Sequence, residues 1–176
     1  MQNLFKKESR YMWALVFLVT AHVLYMTYLF PRDWADTPAA LEFINRVASI
    51  VPVVRYLQQH TQLYTHYWGV FYSIFWIMAP IYFGLGFVGT FYISADRLEN
   101  IVKIRMGRAF VLLLIFTFTV AVEFTFPMLS SKFLINQMSD FLPQLIWSWF
   151  VLAGSIYALA NLIGILVLRF NLKRNH

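Results

Sequence analysis

The residues from Tyr67 to Ile93 read YWGVFYSIFWIMAPIYFGLGFVGTFYI and indicate the fold class of the chain. This stretch contains no Asp, Glu, Lys or Arg, and it exceeds the ~20 mostly apolar residues that a helix needs to cross a bilayer. Three further segments have the same character, namely Met12 to Phe30, Ala109 to Leu129 and Leu145 to Leu168. The sequence therefore predicts an all-α polytopic membrane protein, with four transmembrane helices in one domain over residues 1–176.

The composition of the whole chain agrees with this prediction. Of its 176 residues, 60% are hydrophobic and only 12% are charged, whereas soluble domains have roughly 45–50% apolar and about 25% charged residues. These figures argue against a soluble globular domain and exclude a disordered chain. The absence of cysteine also excludes a disulfide scaffold, a zinc or iron–sulfur site with Cys ligands, and thiol redox chemistry.

Basic residues near the ends of the spans predict the orientation, because Lys and Arg accumulate on the cytoplasmic side. Ten of the 14 Lys and Arg residues lie in the N-terminal tail, in the link between the second and third spans, and in the C-terminal tail. We therefore expect both termini in the cytoplasm of a bacterium, with the protein in its inner membrane. The net charge of +6 fits attraction to anionic lipids, so the predicted partners include the bilayer but no nucleic acid.

The long outer link, Pro31 to His66, has helical signals of its own. Thr37 followed by Pro38 is an N-cap followed by a first-turn proline. Apolar residues then recur at helical spacing as far as Val51, and Pro52 is expected to kink or end that helix. The prediction is an amphipathic helix on the outer leaflet or over the mouth of the bundle. It serves either as a lid on the bundle or as a surface for binding a partner.

Two ionisable residues fall inside the spans. Glu123 lies in the third span shortly before Pro127, and His22 lies near the middle of the first span. A charge at the bilayer centre costs at least ~2.5–3.5 kcal/mol, so both side chains are expected to face the bundle or a water-filled cavity. Their similar depth makes a His22–Glu123 pair geometrically feasible. Each residue has two interpretations: a structural hydrogen bond between helices, or a step in a proton or cation path.

Small residues predict close helix contacts in the second and fourth spans. The predicted packing positions are Gly84, Gly86, Gly89, Gly154, Ala160 and Gly164. Asn161 is a further polar residue within the fourth span, and Asn side chains hydrogen-bond across such contacts. These surfaces serve either internal packing of the four helices or docking to another membrane protein or a second copy. Pro80 and Pro127 interrupt the second and third spans and predict kinks there.

Catalytic and cofactor-binding patterns are absent from the sequence. There is no nucleophile elbow, no phosphate loop and no His-Glu-x-x-His motif. The four histidines fall at different predicted depths, which argues against a bis-His haem and against a zinc site with three or four converging ligands. We therefore expect a protein that is not an enzyme and that binds neither a cofactor nor a metal.

The chain resembles the immunity proteins of pore-forming colicins, of the colicin A and B type. The similar features are the length, a long first outer loop, the segment Asn45-Arg46-Val47-Ala48-Ser49-Ile50-Val51-Pro52, the pair Ala79-Pro80 and the basic ending Leu168-Arg169-Phe170-Asn171-Leu172-Lys173-Arg174. The resemblance implies four spans, cytoplasmic termini and the blocking of a foreign protein in the bilayer. It assigns no functional residue.

Two functions follow from these observations. The first is binding of another membrane-inserted protein through helix faces and the outer loop, as in immunity to a pore-forming toxin or exclusion in plasmid transfer. The second is a subunit of a proton- or cation-coupled transport complex that uses Glu123 and His22.

Overall fold

The protein is described by a computed structural model covering residues 2–60, 65–92, 106–125 and 141–174. Within these ranges the secondary structure is helical and contains no strand, which agrees with the predicted all-α class. Three of the described helices are long and apolar enough to cross a membrane: Arg10–Leu29, His66–Thr90 and Phe141–Phe170. In the predicted third span, Ala109–Thr125 is a shorter apolar helix, and residues 126–129 lie outside the described ranges.

The first helix, α1 (Gln2–Leu24), continues into a π-helical turn at Tyr25–Leu29. The amide of Phe30 donates to the carbonyl of Tyr25 over 2.7 Å, which is the five-residue spacing of a π-helix. The buried residues of this helix recur at intervals of three or four: Leu15, Val19, Val23 and Met26. This spacing places them on one face, which α1 turns toward the rest of the bundle.

Between α1 and the next long helix lie a 3₁₀-helix (Arg32–Asp36), α2 (Pro38–Ala48) and α3 (Pro52–Gln59). The predicted N-cap is confirmed, because the Thr37 hydroxyl accepts a hydrogen bond from the amide of Ala40 at 3.3 Å. The predicted end of the helix before Pro52 is also confirmed. Pro52 stands in the first turn of a new helix, where its missing donor costs nothing.

The helices α2 and α3 pack over one end of the bundle, which we call the capped end. Their apolar faces are buried: Ala40, Ile44, Val47, Ala48, Val53, Val54 and Leu57. The two helices are tied together by a 2.7 Å hydrogen bond from Gln58 to Asn45. Arg55 also donates to the carbonyls of Ala48 and Ser49 at 3.1 Å each, which satisfies backbone acceptors at the end of α2. Of the two predicted locations, the loop therefore occupies the one over the bundle.

The remaining helices form the body of the bundle. They are α4 (His66–Thr90), α5 (Met106–Thr125), α6 (Phe141–Trp147) and α7 (Gly154–Arg174). A π-helical segment, Ser148–Ala153, joins α6 to α7 in one continuous rod. The helix α4 continues through Pro80. The predicted kink at Pro127 lies outside the described residues.

Ring contacts show that α1 and α4 are antiparallel. Tyr11, early in α1, stacks on Tyr92, just beyond the end of α4, with ring centroids 5.3 Å apart. His22, late in α1, contacts Phe71, early in α4, at 4.8 Å. The start of α1 therefore lies at the far end of the bundle, opposite the capped end.

The C-terminal rod runs parallel to α4. Tyr67 near the start of α4 is hydrogen-bonded to Gln144 in α6, and Thr90 at the end of α4 is hydrogen-bonded to Asn161 in α7. The rod therefore also ends at the far end. The first and last described helices thus approach the same end of the molecule.

Candidate functional site

The predicted polar residue Asn161 is held within the contact between α4 and α7. Its side-chain oxygen accepts a hydrogen bond from the Thr90 hydroxyl at 3.0 Å, and its side-chain nitrogen donates to the carbonyl of Tyr157 at 3.0 Å. Gly164 lies beside the same hydroxyl, since a Cβ added there would come within 2.8 Å of Thr90 Oγ1. Asn161 and Gly164 therefore belong to an internal helix contact.

The three glycines of α4 that were predicted as packing positions have different surroundings. A Cβ at Gly86 would lie 2.6 Å from the carbonyl oxygen of Tyr157 and 3.0 Å from the Cβ of Ala160, so α4 and α7 approach closely there. A Cβ at Gly89 would lie 3.3 Å from Tyr11 Cβ, which makes it a contact with α1. A Cβ at Gly84 would meet no atom of the described residues within 4 Å. Gly84 therefore makes no internal helix contact among the described residues, because two residues along a helix turn the side chain by about 200° away from the direction of Gly86.

The role of Gly154 also differs from the predicted contact between helices. A side chain at this position would collide with the carbonyl oxygen of Trp149, five residues earlier in the same rod. The amide of Gly154 donates to that carbonyl and closes the π-helical segment. The π-helical turn therefore requires a glycine at position 154, because any side chain there would clash with the backbone of its own helix.

The structure places His22 and Glu123 in different packing environments. The His22 ring lies on Phe71, and its Nε2 is buried without a hydrogen-bond partner among the described residues. Glu123 is only 1% exposed, near the end of α5. The helix α1 packs mainly on α4 and the C-terminal rod, whereas α5 packs mainly on the rod and α3. The His22–Glu123 pair that their similar depth makes feasible is therefore not formed through His22 Nε2.

A buried polar link joins three helices near the capped end. The hydroxyl of Thr27 donates to Gln144 Oε1 at 2.9 Å, and Gln144 Nε2 donates to the Tyr67 hydroxyl at 3.2 Å. Gln144 is 1% exposed, so these bonds replace the water that its amide loses on burial. Sequence reasoning missed this link. The available signal was an amide side chain between Pro143 and an apolar run.

The polar link lies between the two π-helical segments. Thr27 belongs to the first, and Gln144 lies one turn before the second. A π-helical turn holds one extra residue and is frequent at functional sites. The helix that begins with α1 and the C-terminal rod are therefore both irregular at the same end of the bundle, beside the 3₁₀-helix.

An apolar cavity of about 360 Å³ opens beside this link. Its lining comes from the π-helical turn after α1 and the two residues that follow it, the 3₁₀-helix, α2 and α4: Tyr25, Phe30, Pro31, Trp34, Phe43, Val70 and Ile74. Phe30 makes edge-on contacts with Trp34 at 5.6 Å and with Tyr67 at 6.1 Å. The Arg32 guanidinium lies 5.6 Å from the centre of the Tyr67 ring. The cavity is thus mainly aromatic, with one cation close to it, and its size is that of a small-ligand site.

Other ionisable groups at the capped end are engaged in surface pairs. His66 Nδ1 lies 2.7 Å from Asp36 Oδ1, and Arg46 pairs with Glu42 one helical turn away. Within the described ranges, no three His, Asp or Glu side chains converge as a metal site. The strongest candidate site is therefore the aromatic cavity with its adjoining polar link.

Comparison with known proteins finds no matching family model, no similar curated protein and no similar solved structure.

Proposed function

We propose that the chain is a four-span protein of a bacterial inner membrane, with both termini in the cytoplasm and the capped end outside. The four-span proposal is supported by three helices of sufficient length and by the apolar sequence from Ala109 to Leu129, which contains the helix Ala109–Thr125. The shared end of the first and last helices supports an even number of crossings. The excess of Lys and Arg in the tails and in residues 94–108 supports the assignment of that end to the cytoplasm.

Within that membrane, the proposed function is to bind another membrane-inserted protein without catalysing a reaction. The observation that carries this proposal is the open surface of α5. Among the described side chains of this helix, Glu123 is the only one that is fully buried, whereas α4 is buried along its length. The apolar residues Phe110, Leu114 and Phe118 recur every fourth position and are exposed. Because so few of its side chains are buried in its own bundle, α5 leaves a long apolar face for a partner helix.

Immunity to a pore-forming toxin is the concrete form that we favour, and exclusion of plasmid transfer is the second. Both require recognition of a foreign protein within the bilayer, and an exposed apolar helix face suits a partner that arrives through lipid. The cap, α2 and α3, closes the outer end and leaves Ile50 exposed at its turn, which adds a contact point outside the membrane. The resemblance to colicin immunity proteins supports the first form.

The test uses a photo-crosslinking amino acid at Phe118, which is 70% exposed on α5, and at Phe17, which is 71% exposed on α1, as the matched control. Cells that produce the chain are challenged with a panel of pore-forming colicins, irradiated and analysed. We expect protection against one toxin and a cross-link to that toxin from position 118 alone. Equal cross-linking from both positions would overturn the role of α5. Immunity would be overturned if cells that produce the chain survived no better than cells without it against every toxin of the panel.

A second candidate, a subunit of a proton- or cation-coupled transport complex, is favoured by the burial of Glu123 in an apolar helix. A buried carboxylate in a membrane is costly and often serves ion movement. The variant Glu123→Gln keeps the size of the side chain but cannot carry the charge. Glu42→Gln, on the surface of α2, is the control for loss of a carboxylate. Proton flux into vesicles must fall in the first variant alone, and unchanged flux refutes transport.

A further inference from the structure

The aromatic cavity at the capped end continues into an exposed apolar stripe on α4. Val70 and Ile74 line the cavity, and Ile77 and Ile81 follow on the same face. Ile77 and Ile81 are both exposed, so the stripe is open along the side of the bundle. The cavity thus opens sideways, onto the surface that a membrane-crossing helix presents to lipid.

The cavity and the stripe together form a groove along α4 from Val70 to Ile81. The length of this groove matches the thickness of one leaflet of a bilayer. Val70 and Ile81 are separated by eleven residues, which at ~1.5 Å per residue is about 16 Å along the helix. The hydrocarbon core of a bilayer is ~30 Å thick, so one leaflet contributes about 15 Å. A groove of this length holds one extended acyl chain of the leaflet at the capped end. A partner helix, at ~10–12 Å in diameter, is too wide for the cavity.

A positive charge lies where the head group of such a lipid would be. Arg32 is held over the ring of Tyr67, which is about one helical turn nearer the capped end than Val70. Trp34 and Tyr25 on the cavity wall are partly exposed, as interfacial aromatic residues are. Charge and aromatic lining therefore favour a lipid with a phosphate at the interface and an acyl chain below it.

We infer that the cavity is a binding site for one phospholipid, with its acyl chain along Val70, Ile74 and Ile77 and its phosphate near Arg32. This inference rests on the membrane insertion proposed above but does not depend on a protein partner. The bound lipid fills the space that the aromatic residues enclose, and it links the cap to α4. The site prefers anionic lipids, because a basic side chain near the membrane surface attracts them.

The test measures retained lipid on the full chain. The protein is reconstituted into vesicles of equal parts phosphatidylglycerol and phosphatidylcholine, floated with them, extracted in mild detergent and analysed by native mass spectrometry. We expect one retained phospholipid on the wild type. Ile74→Trp fills the cavity and abolishes retention, whereas Ile115→Trp, at an exposed isoleucine of α5 that does not line the cavity, preserves it. Phe43→Trp fills the cavity from the cap and covers the case in which Ile74→Trp does not fold.

A charge variant tests the position of the head group. Arg32→Gln removes about 1 kcal/mol of attraction to anionic lipid, so the retained ratio of phosphatidylglycerol to phosphatidylcholine should fall about fivefold. Arg46→Gln makes the same charge change on the outer face of α2 and should leave the ratio unchanged.

The outcomes separate this inference from the proposed function. A chain that does not float with the vesicles refutes membrane insertion and, with it, both proposals. A chain that floats but retains no lipid, or retains it equally in Ile74→Trp and Ile115→Trp, overturns the lipid site alone. Retention of one lipid by a chain that cross-links to no partner supports the site and counts against partner binding.

Discussion

Adding a single methyl group at Gly86 should force α4 and α7 apart. A Cβ at this position would lie 2.6 Å from the carbonyl oxygen of Tyr157 and 3.2 Å from its Cα. Both are backbone atoms, so no side-chain rotation relieves the collision and the whole helix must shift. Overpacking of this kind costs ~1–3 kcal/mol. Gly86→Ala should therefore lower the free energy of unfolding.

The matched control is Gly84→Ala, two residues away on the same helix. Both variants gain the same helix propensity, ~0.5–1 kcal/mol for Gly to Ala, but a Cβ at Gly84 meets nothing within 4 Å. The propensity gain cancels in the comparison, so the difference between the two variants isolates the overpacking cost of ~1–3 kcal/mol.

The assay is a titration with SDS in mixed micelles, with helicity followed by circular dichroism. Gly86→Ala should unfold at a lower SDS fraction than the wild type, and Gly84→Ala at the same or a higher fraction. Equal midpoints for the two alanine variants would refute the close approach of α4 and α7 at this position.

Three further predictions use the same titration. Gly154→Ala should destabilise the rod, because the new methyl group collides with the carbonyl oxygen of Trp149 in the π-helical segment. In a double-mutant cycle, Thr90→Val and Asn161→Leu should show a coupling of about 0.6 kcal/mol, the average for hydrogen bonds between membrane helices. Gln144→Leu removes two hydrogen bonds between helices and should cost about 1 kcal/mol.

A specific experimental result would contradict each of these three predictions. For the first, the control is Gly107→Ala, where a Cβ meets nothing within 4 Å, and equal effects at the two glycines would contradict it. Strict additivity of the two single variants would contradict the second. For the third, the control is Gln59→Leu on the exposed side of α3, which should leave the free energy of unfolding unchanged. If this variant loses as much stability as Gln144→Leu, the polar link does not stabilise the bundle.

Local sequence patterns predicted the features that depend on neighbouring residues along the chain. The N-cap at Thr37 and the end of the helix before Pro52 are of this kind, because each depends on a backbone donor within one turn. Apolar runs likewise predicted the long helices, since their length and composition suffice to identify them.

The polar link and the cavity could not be predicted in this way. Thr27, Tyr67 and Gln144 come from three distant parts of the chain, and no local spacing connects them. The glycines show the same limit. Gly84 and Gly86 are equivalent in sequence, but only the folded bundle determines which one faces α7.

Because of the π-helical segment Ser148–Ala153, a single-codon deletion in this part of the gene should be tolerated at some positions and not at others. This segment absorbs one residue more than a regular α-helix needs. A deletion inside it is compensated by conversion to an ordinary helical turn, so Gln144 on one side and Asn161 on the other keep their orientations. The same deletion a few codons later, between Tyr157 and Asn161, has no spare residue to remove. It would rotate everything beyond it by about 100° and carry Gly164 away from α4.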